Sequence, residues 1–379
     1  MQLKDSEKTQ GGQVPPLFDK KVLCAMSGGV DSSVVCALLQ DGGYDVSGVM
    51  MKLYENEDVG EDILKSCCSL AGQTDAEAVA QLLDVPFYVY NYTREFRESV
   101  MDHFAAEYAR GATPNPCLEC NRHLKFGALF DRADKLRCRY IATGHYARLS
   151  FNGKTGLYEL RRARDTQKDQ TYALYFLGQK ELSRLLFPLG DYLKSETRAM
   201  ADKFGLPNAQ KRDSQDICFV TSGDYRDFLR QYTDFEDKPG DFVAQSTREV
   251  LGRHTGYRNY TLGQRRGLGV SAASRLYVTG IDPEENAVSL GDNSDLLCNY
   301  CETEDCHIVA GEESFISGEY QVCVRYNGRQ TAADVKADGG RLQIRFRQPQ
   351  RAVTPGQHAV MYSGDLVIGG GRIAAAEKA

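Results

Sequence analysis

The feature that most constrains this chain is a glycine-rich loop near its start, with the sequence SGGVDSS at residues 27–33. A short apolar run precedes the loop and apolar residues at helical spacing follow it, so we predict a strand, a loop and a helix in that order. Glycines let the backbone approach a ligand, and the N–H groups of a first helical turn are suited to binding phosphate. The carboxylate of Asp31 favours a Mg²⁺ ion between protein and phosphate. The alternative is an ordinary capped turn, which needs fewer glycines and serines than this loop has.

The composition indicates a globular chain that is long enough for two or three domains, with 379 residues, 42% hydrophobic and 26% charged. The net charge of −6 means that a nucleic-acid partner would need local basic patches. We find no run of about 18 apolar residues and no apolar core in the polar first 20 residues, and we therefore expect a cytoplasmic protein. In that reducing compartment the 12 cysteines are better suited to catalysis or metal binding than to disulfides.

The order of predicted elements indicates an α/β domain followed by β-rich segments. Strands at 44–53, 87–90 and 140–147 alternate with helices, which is typical of a parallel sheet. A hairpin is expected around residues 152–153. From about residue 293, short strands separated by turn residues predict a small antiparallel barrel. We predict a disordered leader, a catalytic domain, a central domain and a barrel at residues 1–18, 19–212, 213–292 and 293–379.

Two cysteines stand in the segment TPNPCLECN at residues 113–121. Its two prolines predict a rigid, non-helical loop that presents Cys117 and Cys120. A helix from Asn121 to about residue 136 would then lower the pKa of Cys120 through its N-terminal dipole. The pair could be redox-active, metal-binding or coincidental.

The other notable cysteines have simpler interpretations. Cys218 lies between Ile217 and Phe219 in a strand-like run, where a cysteine is normally a small core residue. Zinc-like spacing, without any other sign of a zinc finger, is found at Cys298, Cys301, Cys306 and His307.

A basic cluster is formed by Arg161, Arg162, Arg164 and Lys168. It is either a solvated face or a contact for phosphate groups. Gly144, at a predicted strand end, would permit a ligand to approach closely.

Taken together, these motifs resemble the bacterial tRNA-specific 2-thiouridylases of the ATP pyrophosphatase (PP-loop) superfamily. The matching blocks are residues 27–33, 113–116 with 120–121, 168–170, and 213–215 with 217–219. Segments 260–269, 325–326 and 355–357 extend the resemblance through both later domains. It implies an adenine nucleotide alpha hydrolase-like α/β fold with a doubly wound, mainly parallel sheet. A small central tRNA-binding domain and a C-terminal antiparallel β-barrel would follow.

The resemblance also implies roles for individual residues. Cys218 would carry a persulfide, and Cys120 would be the paired catalytic nucleophile. ATP contacts are implied for Ala25, Met26, Ser27, Gly28, Gly29, Val30, Asp31, Ser32, Met51 and Gly144. Contacts with the target base are implied for Asn115, Pro116 and Cys117. Contacts with tRNA are implied for His145, Lys168, Asp169, Gln170, Arg325, Tyr326 and Gln357. Met51 could equally be an ordinary core residue.

The implied activity is ATP-dependent 2-thiolation of the wobble uridine of tRNA. Adenylation of uracil O2 would make AMP the leaving group, and a persulfide would supply sulfur to a base flipped out of its stack. The implied partners are a cysteine desulfurase or sulfur carrier and the tRNAs for Lys, Glu and Gln. Two alternatives are a tRNA sulfurtransferase acting on a different nucleoside and a non-catalytic nucleotide- or cluster-binding scaffold.

One residue departs from the family pattern, because many members have Asp where this chain has Cys117. The three thiolates of Cys117, Cys120 and Cys218 would suit a 4Fe–4S cluster with one open iron, which could bind sulfide. A persulfide relay and a cluster-bound sulfide therefore both remain open.

Overall fold

The computed structural model describes residues 20–55, 70–213, 217–272 and 274–379. The leader predicted at residues 1–18 lies outside this part of the chain. Within the described ranges, no helix combines the length and apolarity needed to cross a bilayer.

The first domain is built around a parallel sheet whose strands alternate with helices along the chain. The strands of this part of the chain are β1 (Lys21–Ala25), β2 (Asp45–Lys52), β3 (Phe87–Asn91), β4 (Tyr140–Ala142) and β7 (Leu185–Leu186), together with β5 (Ala147–Asn152) and β6 (Leu157–Arg162), which form a separate hairpin. The sheet has the order β3-β2-β1-β4-β7, and every neighbouring pair is parallel.

Helices cover both faces of this sheet. They are α1 (Val30–Asp41), α2 (Leu70–Leu82), α3 (the consecutive segments Thr93–Phe96, Arg97–Met101 and Asp102–Ala109), α4 (Pro116–Cys120, Asn121–Ala128 and Leu129–Lys135), α5 (Gln179–Leu182) and α6 (Lys194–Lys203). Side chains alternate along β1, so Val22 and Cys24 join the apolar cluster of α1 and α6, whereas Leu23 joins that of α3 and α4. The doubly wound arrangement predicted from the sequence is confirmed.

The hairpin of β5 and β6 connects the first domain with the C-terminal one. Its strands pair with each other from Ala147 and Arg162 to Asn152 and Leu157, as the sequence predicted. Strand β6 also pairs with the last strand of the chain, where Arg161 lies opposite Leu366.

In its described residues, the central domain has an α-helix, α7 (Tyr225–Tyr232), and a small mixed sheet. Its strands are β8 (Gly240–Ala244), β9 (Val250–His254), β10 (Tyr277–Asp282) and β11 (Ala287–Gly291), in the order β10-β11-β8-β9. A compact apolar core that includes Phe242, Val278 and Val288 holds this sheet together.

The C-terminal domain is a closed antiparallel barrel. Its strands are β12 (Leu297–Ile308), β13 (Gly318–Cys323), β14 (Thr331–Asp338), β15 (Arg341–Arg351), β16 (His358–Ser363) and β17 (Leu366–Lys378). They follow the order β12-β15-β14-β13-β16-β17, and pairing of β12 with β17 closes the ring. The predicted barrel is confirmed, and closure leaves no exposed strand edge within this ring.

Candidate functional site

The glycine-rich loop connects β1 to α1 in a conformation that only glycine adopts easily. Gly28 has φ +72°, and a Cβ atom at this position would overlap the backbone carbonyl of Gly72. Gly29 immediately precedes α1. The Ser27 N–H donates to Ser32 Oγ at 3.1 Å, and that hydroxyl donates to the Gly29 carbonyl at 3.1 Å. These bonds fix the loop at the N-terminus of a helix, where phosphate binds well.

Two residues from a distant part of the chain hold the loop from outside. The buried Asn208 amide donates to the Gly28 carbonyl at 3.1 Å and to Ser33 Oγ at 2.9 Å. Lys211 Nζ donates to the same carbonyl at 3.2 Å and pairs with Asp75 at 2.7 Å. The sequence did not point to either residue, because each lies about 180 positions from the loop and belongs to no local pattern.

The Asp31 carboxylate lies at the centre of a partly buried network. Lys194 Nζ contacts its two oxygens at 2.6 and 2.7 Å, and the Tyr146 hydroxyl donates to Oδ1 at 3.0 Å. Lys194 also bridges to Asp213 at 2.9 Å. Burial, reinforced by Asp31, raises the pKa of Tyr146 well above its ordinary value, so this hydroxyl remains a donor. Lys194 is a further site residue that the sequence analysis missed.

Asp213 forms ion pairs with three basic side chains beside the loop. Besides Lys194 it pairs with Lys168 at 2.8 Å and Arg198 at 2.6 Å. Burial by itself would raise the pKa of Asp213, but hydrogen bonds from Lys168 and Lys194 outweigh it and lower the pKa to about 2. Asp213 is therefore ionised at neutral pH and fixes Lys168, for which the resemblance implied a tRNA contact, near the phosphate loop.

Most of the other residues for which ATP contacts were inferred lie in or against the same loop. A Cβ atom on Gly144 would lie 3.0 Å from the Ser32 nitrogen and 3.2 Å from the Asp31 carbonyl carbon, so the end of β4 lies against the loop. Met26 and Val30 are buried beside it, and Ala25 ends β1. Met51 is buried in the core near the end of β2, which is compatible with both interpretations of this residue.

The segment with two cysteines is helical, contrary to the expectation of a loop up to Asn121. Helix α4 begins at Pro116, and the Asn115 side chain caps it by accepting from the Leu118 N–H at 3.3 Å. Proline suits this position because the first helical N–H has no partner within the helix. Cys117 is therefore the exposed residue of the first turn, and Cys120 is buried one turn later.

Cys218 lies in a turn and not in the predicted strand. The Val220 N–H donates to the Ile217 carbonyl at 3.0 Å and closes this turn, and the Tyr54 hydroxyl donates to the Cys218 carbonyl at 3.1 Å. The neighbouring Phe219 ring is buried at 5.7, 5.3 and 4.8 Å from the rings of Phe96, Phe104 and Phe228. Cys218 packs against the same extended apolar cluster that contains Cys120, about 100 positions earlier in the chain.

Neither proposed cysteine-based metal site is found in the described ranges. They contain no group of three His, Cys, Asp or Glu side chains placed to hold a metal ion. Cys117, Cys120 and Cys218 are accordingly not grouped as three metal ligands in the described arrangement. The four residues with zinc-like spacing all lie on strand β12, and two of them, Cys298 and Cys301, are buried in the barrel core.

The basic cluster on and after β6 is largely neutralised by acidic partners. Arg162 pairs with Asp169 at 3.1 Å, Arg164 pairs with Glu196 at 3.0 Å, and Arg161 pairs with both Glu159 and Asp365. Asp169 also accepts from the Ala163 N–H at 2.9 Å. These contacts give the cluster a structural role whether or not it meets tRNA.

Two more residues with inferred tRNA contacts, His145 and Gln170, make defined contacts within the first domain. The His145 ring is buried between Phe126 and Phe187, and burial lowers its pKa well below the ordinary value. Gln170 accepts from the Tyr146 N–H at 2.9 Å.

Two of the barrel residues with inferred tRNA contacts lie at the junction with the first domain. Tyr326, next to Arg325, is exposed and its ring lies 6.0 Å from that of Tyr172. Gln357 donates to the carbonyls of Thr113 and Pro114 at 2.8 and 3.2 Å.

Fold and site together define a nucleotide-binding α/β domain with a phosphate loop, joined to two β-domains. Three family models match in succession: a tRNA methyl transferase HUP domain at residues 20–222, a tRNA methyl transferase PRC-barrel domain at 226–292 and an aminomethyltransferase beta-barrel domain at 299–373. The chain is 47% identical to a tRNA-specific 2-thiouridylase MnmA of Pelotomaculum thermopropionicum, covering 93% of this chain and 97% of the relative. The corresponding protein of Moorella thermoacetica is 46% identical, with coverage of 93% and 98%. The chain belongs to the tRNA-specific 2-thiouridylase family.

Solved structures give a weaker likeness. One is a U34-tRNA thiolase NcsA from Methanococcus maripaludis with its 4Fe–4S cluster, at 16% identity and a TM-score of 0.34 over 56% of this chain and 70% of that chain. This likeness is too distant to transfer any feature of that protein.

Proposed function

We propose that this protein uses ATP to convert the wobble uridine of tRNA into 2-thiouridine. The observation that carries the proposal is the joint presence of a phosphate loop and of Cys120 and Cys218 packed in one apolar cluster. The similarity to the named 2-thiouridylases covers nearly the whole length of those relatives. Two family models carry methyl transferase in their names, but two cysteines suit sulfur transfer better than methyl transfer.

In this proposal the loop holds the phosphates of ATP. The N–H groups at the start of α1 donate to phosphate oxygens, and residues 25–32 with Met51 and Gly144 surround the nucleotide. Asp31 supplies one carboxylate, which fits Mg²⁺ because this ion takes its other ligands from phosphates and water. When bound, Mg²⁺ would screen the negative charge of the phosphates. Lys194 would then keep its second partner, Asp213, and remain close to the phosphates.

The sulfur-transfer steps use two thiols. Uracil O2 attacks the α-phosphorus of ATP and pyrophosphate leaves. The outer sulfur of a Cys218 persulfide then attacks C2, and AMP leaves with O2. The Cys120 thiolate attacks the Cys218 sulfur, which breaks the sulfur–sulfur bond, releases the thiolated base and forms a Cys120–Cys218 disulfide. A cellular thiol reductant resets the pair. The steps written here use the two thiols alone, and the described part of the chain shows no group of three His, Cys, Asp or Glu side chains placed to hold a metal ion.

The proposed contacts with the target base and with tRNA follow the family resemblance. Asn115, Pro116 and Cys117, at the start of α4, face the flipped base. The tRNA is contacted by His145, Lys168, Asp169, Gln170, Arg325, Tyr326 and Gln357. We further propose a cytoplasmic enzyme that receives sulfur from a cysteine desulfurase or carrier and acts on the tRNAs for Lys, Glu and Gln.

The direct test is nucleoside analysis of unmodified tRNA incubated with the protein, ATP and a desulfurase with cysteine. We expect 2-thiouridine at the wobble position, with formation abolished by Cys120→Ser or Cys218→Ser. Cys306→Ser, on a barrel strand, is the matched control and should retain activity. A thiolated nucleoside at another position would support a different tRNA sulfurtransferase, and absence of any thiolated nucleoside would contradict the proposal.

A further inference from the structure

We propose that residues 355–357, just before barrel strand β16, act as a clasp that positions the start of helix α4 for thiolation. The segment held by this clasp is residues 113–117, the target-base segment. The contacts are a property of the fold, whereas their consequence for catalysis rests on the proposed function. Gln357 is in this view a positioning residue, which extends the tRNA contact proposed for it.

Hydrogen bonds join the clasp to the polypeptide that leads into α4. Gln357 Nε2 donates to the Thr113 carbonyl at 2.8 Å and to the Pro114 carbonyl at 3.2 Å. The Thr113 N–H donates in turn to the Pro355 carbonyl at 3.1 Å. Backbone groups just ahead of a helix have no partner within it, so the barrel satisfies groups that the first domain leaves open. The Gln357 amide nitrogen is engaged with both carbonyls, so a tRNA contact of this side chain would use its oxygen.

The middle residue of the clasp is closely fitted to its surroundings. Gly356 has φ +87°, and a Cβ atom there would lie 3.0 Å from the Thr113 carbonyl oxygen. The same atom would lie 3.2 Å from Ala112 Cβ and 3.2 Å from a carboxylate oxygen of Glu107. The barrel backbone therefore lies directly against the target-base segment, with little room for the two to shift independently.

Buried side chains next to the clasp support it through hydrogen bonds and an ion pair. The Tyr172 hydroxyl donates to the His358 carbonyl at 2.8 Å and accepts from the His358 N–H at 3.1 Å. Tyr175 Oη and His358 Nδ1 are 2.9 Å apart. Arg372, on β17, pairs at 3.3 Å with Glu107, whose side chain is 1% exposed. Such supporting contacts are what hold a functional segment in one geometry.

This arrangement makes the barrel part of the thiolation machinery. The clasped carbonyls immediately precede Asn115, which caps the helix that carries Cys117 and Cys120. Rotation of the target-base segment would move the helix cap, the proposed base contacts and the Cys120 thiol together. Small misplacements of reacting groups lower rates strongly, so loss of the clasp should act on the rate of thiolation more than on tRNA binding.

The test compares Gln357→Met, which keeps the side-chain length but removes both donors, with Gln348→Met on the exposed surface of β15. The first measurement is the alkylation rate, without tRNA, of the buried Cys120 on the same helix, localised by peptide mass spectrometry. We expect an increase of about threefold or more in Gln357→Met, because the segment opens more often. We also expect kcat for thiolation to fall by about tenfold or more with less than about a twofold change in the Kd for tRNA. Gln348→Met should match the wild type in all three measurements.

The proposal is overturned if Gln357→Met leaves Cys120 alkylation and kcat unchanged and only weakens tRNA binding. Gln357→Glu is the second variant, since it retains an oxygen for tRNA but has no donor for the two carbonyls. Wild-type alkylation in this variant would equally overturn the clasp. The alkylation experiment needs neither ATP nor tRNA, so a failure of the proposed function, seen as absence of thiolation by the wild type, is distinguishable from a failure of the clasp.

Discussion

Replacement of Asp213 by asparagine should destabilise the protein by removing the carboxylate that holds cations beside the phosphate loop. Burial opposes ionisation of Asp213, yet hydrogen bonds from Lys168 and Lys194 lower its pKa from the ordinary 3.8 to about 2. At roughly 1.4 kcal/mol per pKa unit, the ionised carboxylate stabilises the folded state by about 2 kcal/mol at neutral pH. The side chain is only 21% exposed, so solvent screening does not cancel this contribution.

The pH dependence of this stabilisation has a definite sign. Because the folded state has the lower pKa, the contribution of Asp213 is present above pH 3.8 and is lost as the pH falls towards about 2. The difference in unfolding free energy between the wild type and Asp213→Asn should therefore be constant near neutral pH and shrink in acid.

Urea titrations followed by circular dichroism at about pH 7 and about pH 3.5 would measure this difference. The control is Asp134→Asn, which breaks an ion pair with Arg184 but whose carboxylate is 62% exposed, so it should cost less than about 1 kcal/mol. Equal losses in the two variants, or a loss in Asp213→Asn that grows in acid, would refute the reasoning.

Two further predictions concern the phosphate loop itself. Gly28→Ala should abolish ATP binding measured by calorimetry, because its Cβ would overlap the Gly72 backbone and its φ is +72°. Unchanged affinity would show that the loop can rearrange. Lys194→Gln should raise the KM for ATP by about tenfold in pyrophosphate-release assays, since Lys194 contacts Asp31 at 2.6 Å. Lys203→Gln, at the exposed end of the same helix, is the control, and equal KM values for both variants would count against a role for Lys194.

The parts of the site that the sequence predicted are those with a local signal. The phosphate loop is contiguous, and its strand–loop–helix context is visible in the surrounding periodicity. Lys194 and Asn208 reach that loop from 163 and 180 positions away, and contacts of that kind leave no local pattern. Only the packing of α6 and the segment after it against α1 brings them there.

The start of α4 shows why one element was predicted wrongly. Pro114 and Pro116 suggested a non-helical loop, but proline disrupts a helix only beyond its first turn. With Asn115 as the cap, Pro116 is the first residue of the helix and Cys117 lies in its first turn. The sequence pattern predicted the start of this helix five residues later, at Asn121. The residue following Cys218 shows the same limit of local reasoning, because Phe219 is fixed by aromatic rings from α3 and α7 and not by a strand.

The most direct test of the account is to locate the transferable sulfur. The protein, purified without oxygen, is loaded by a cysteine desulfurase with cysteine and analysed by peptide mass spectrometry before and after addition of ATP and unmodified tRNA. The account predicts one additional sulfur atom on Cys218, discharged only when ATP and tRNA are both present, with a Cys120–Cys218 disulfide as the product. An additional sulfur on another cysteine, its discharge without ATP, or thiolation that depends on bound iron would contradict the account.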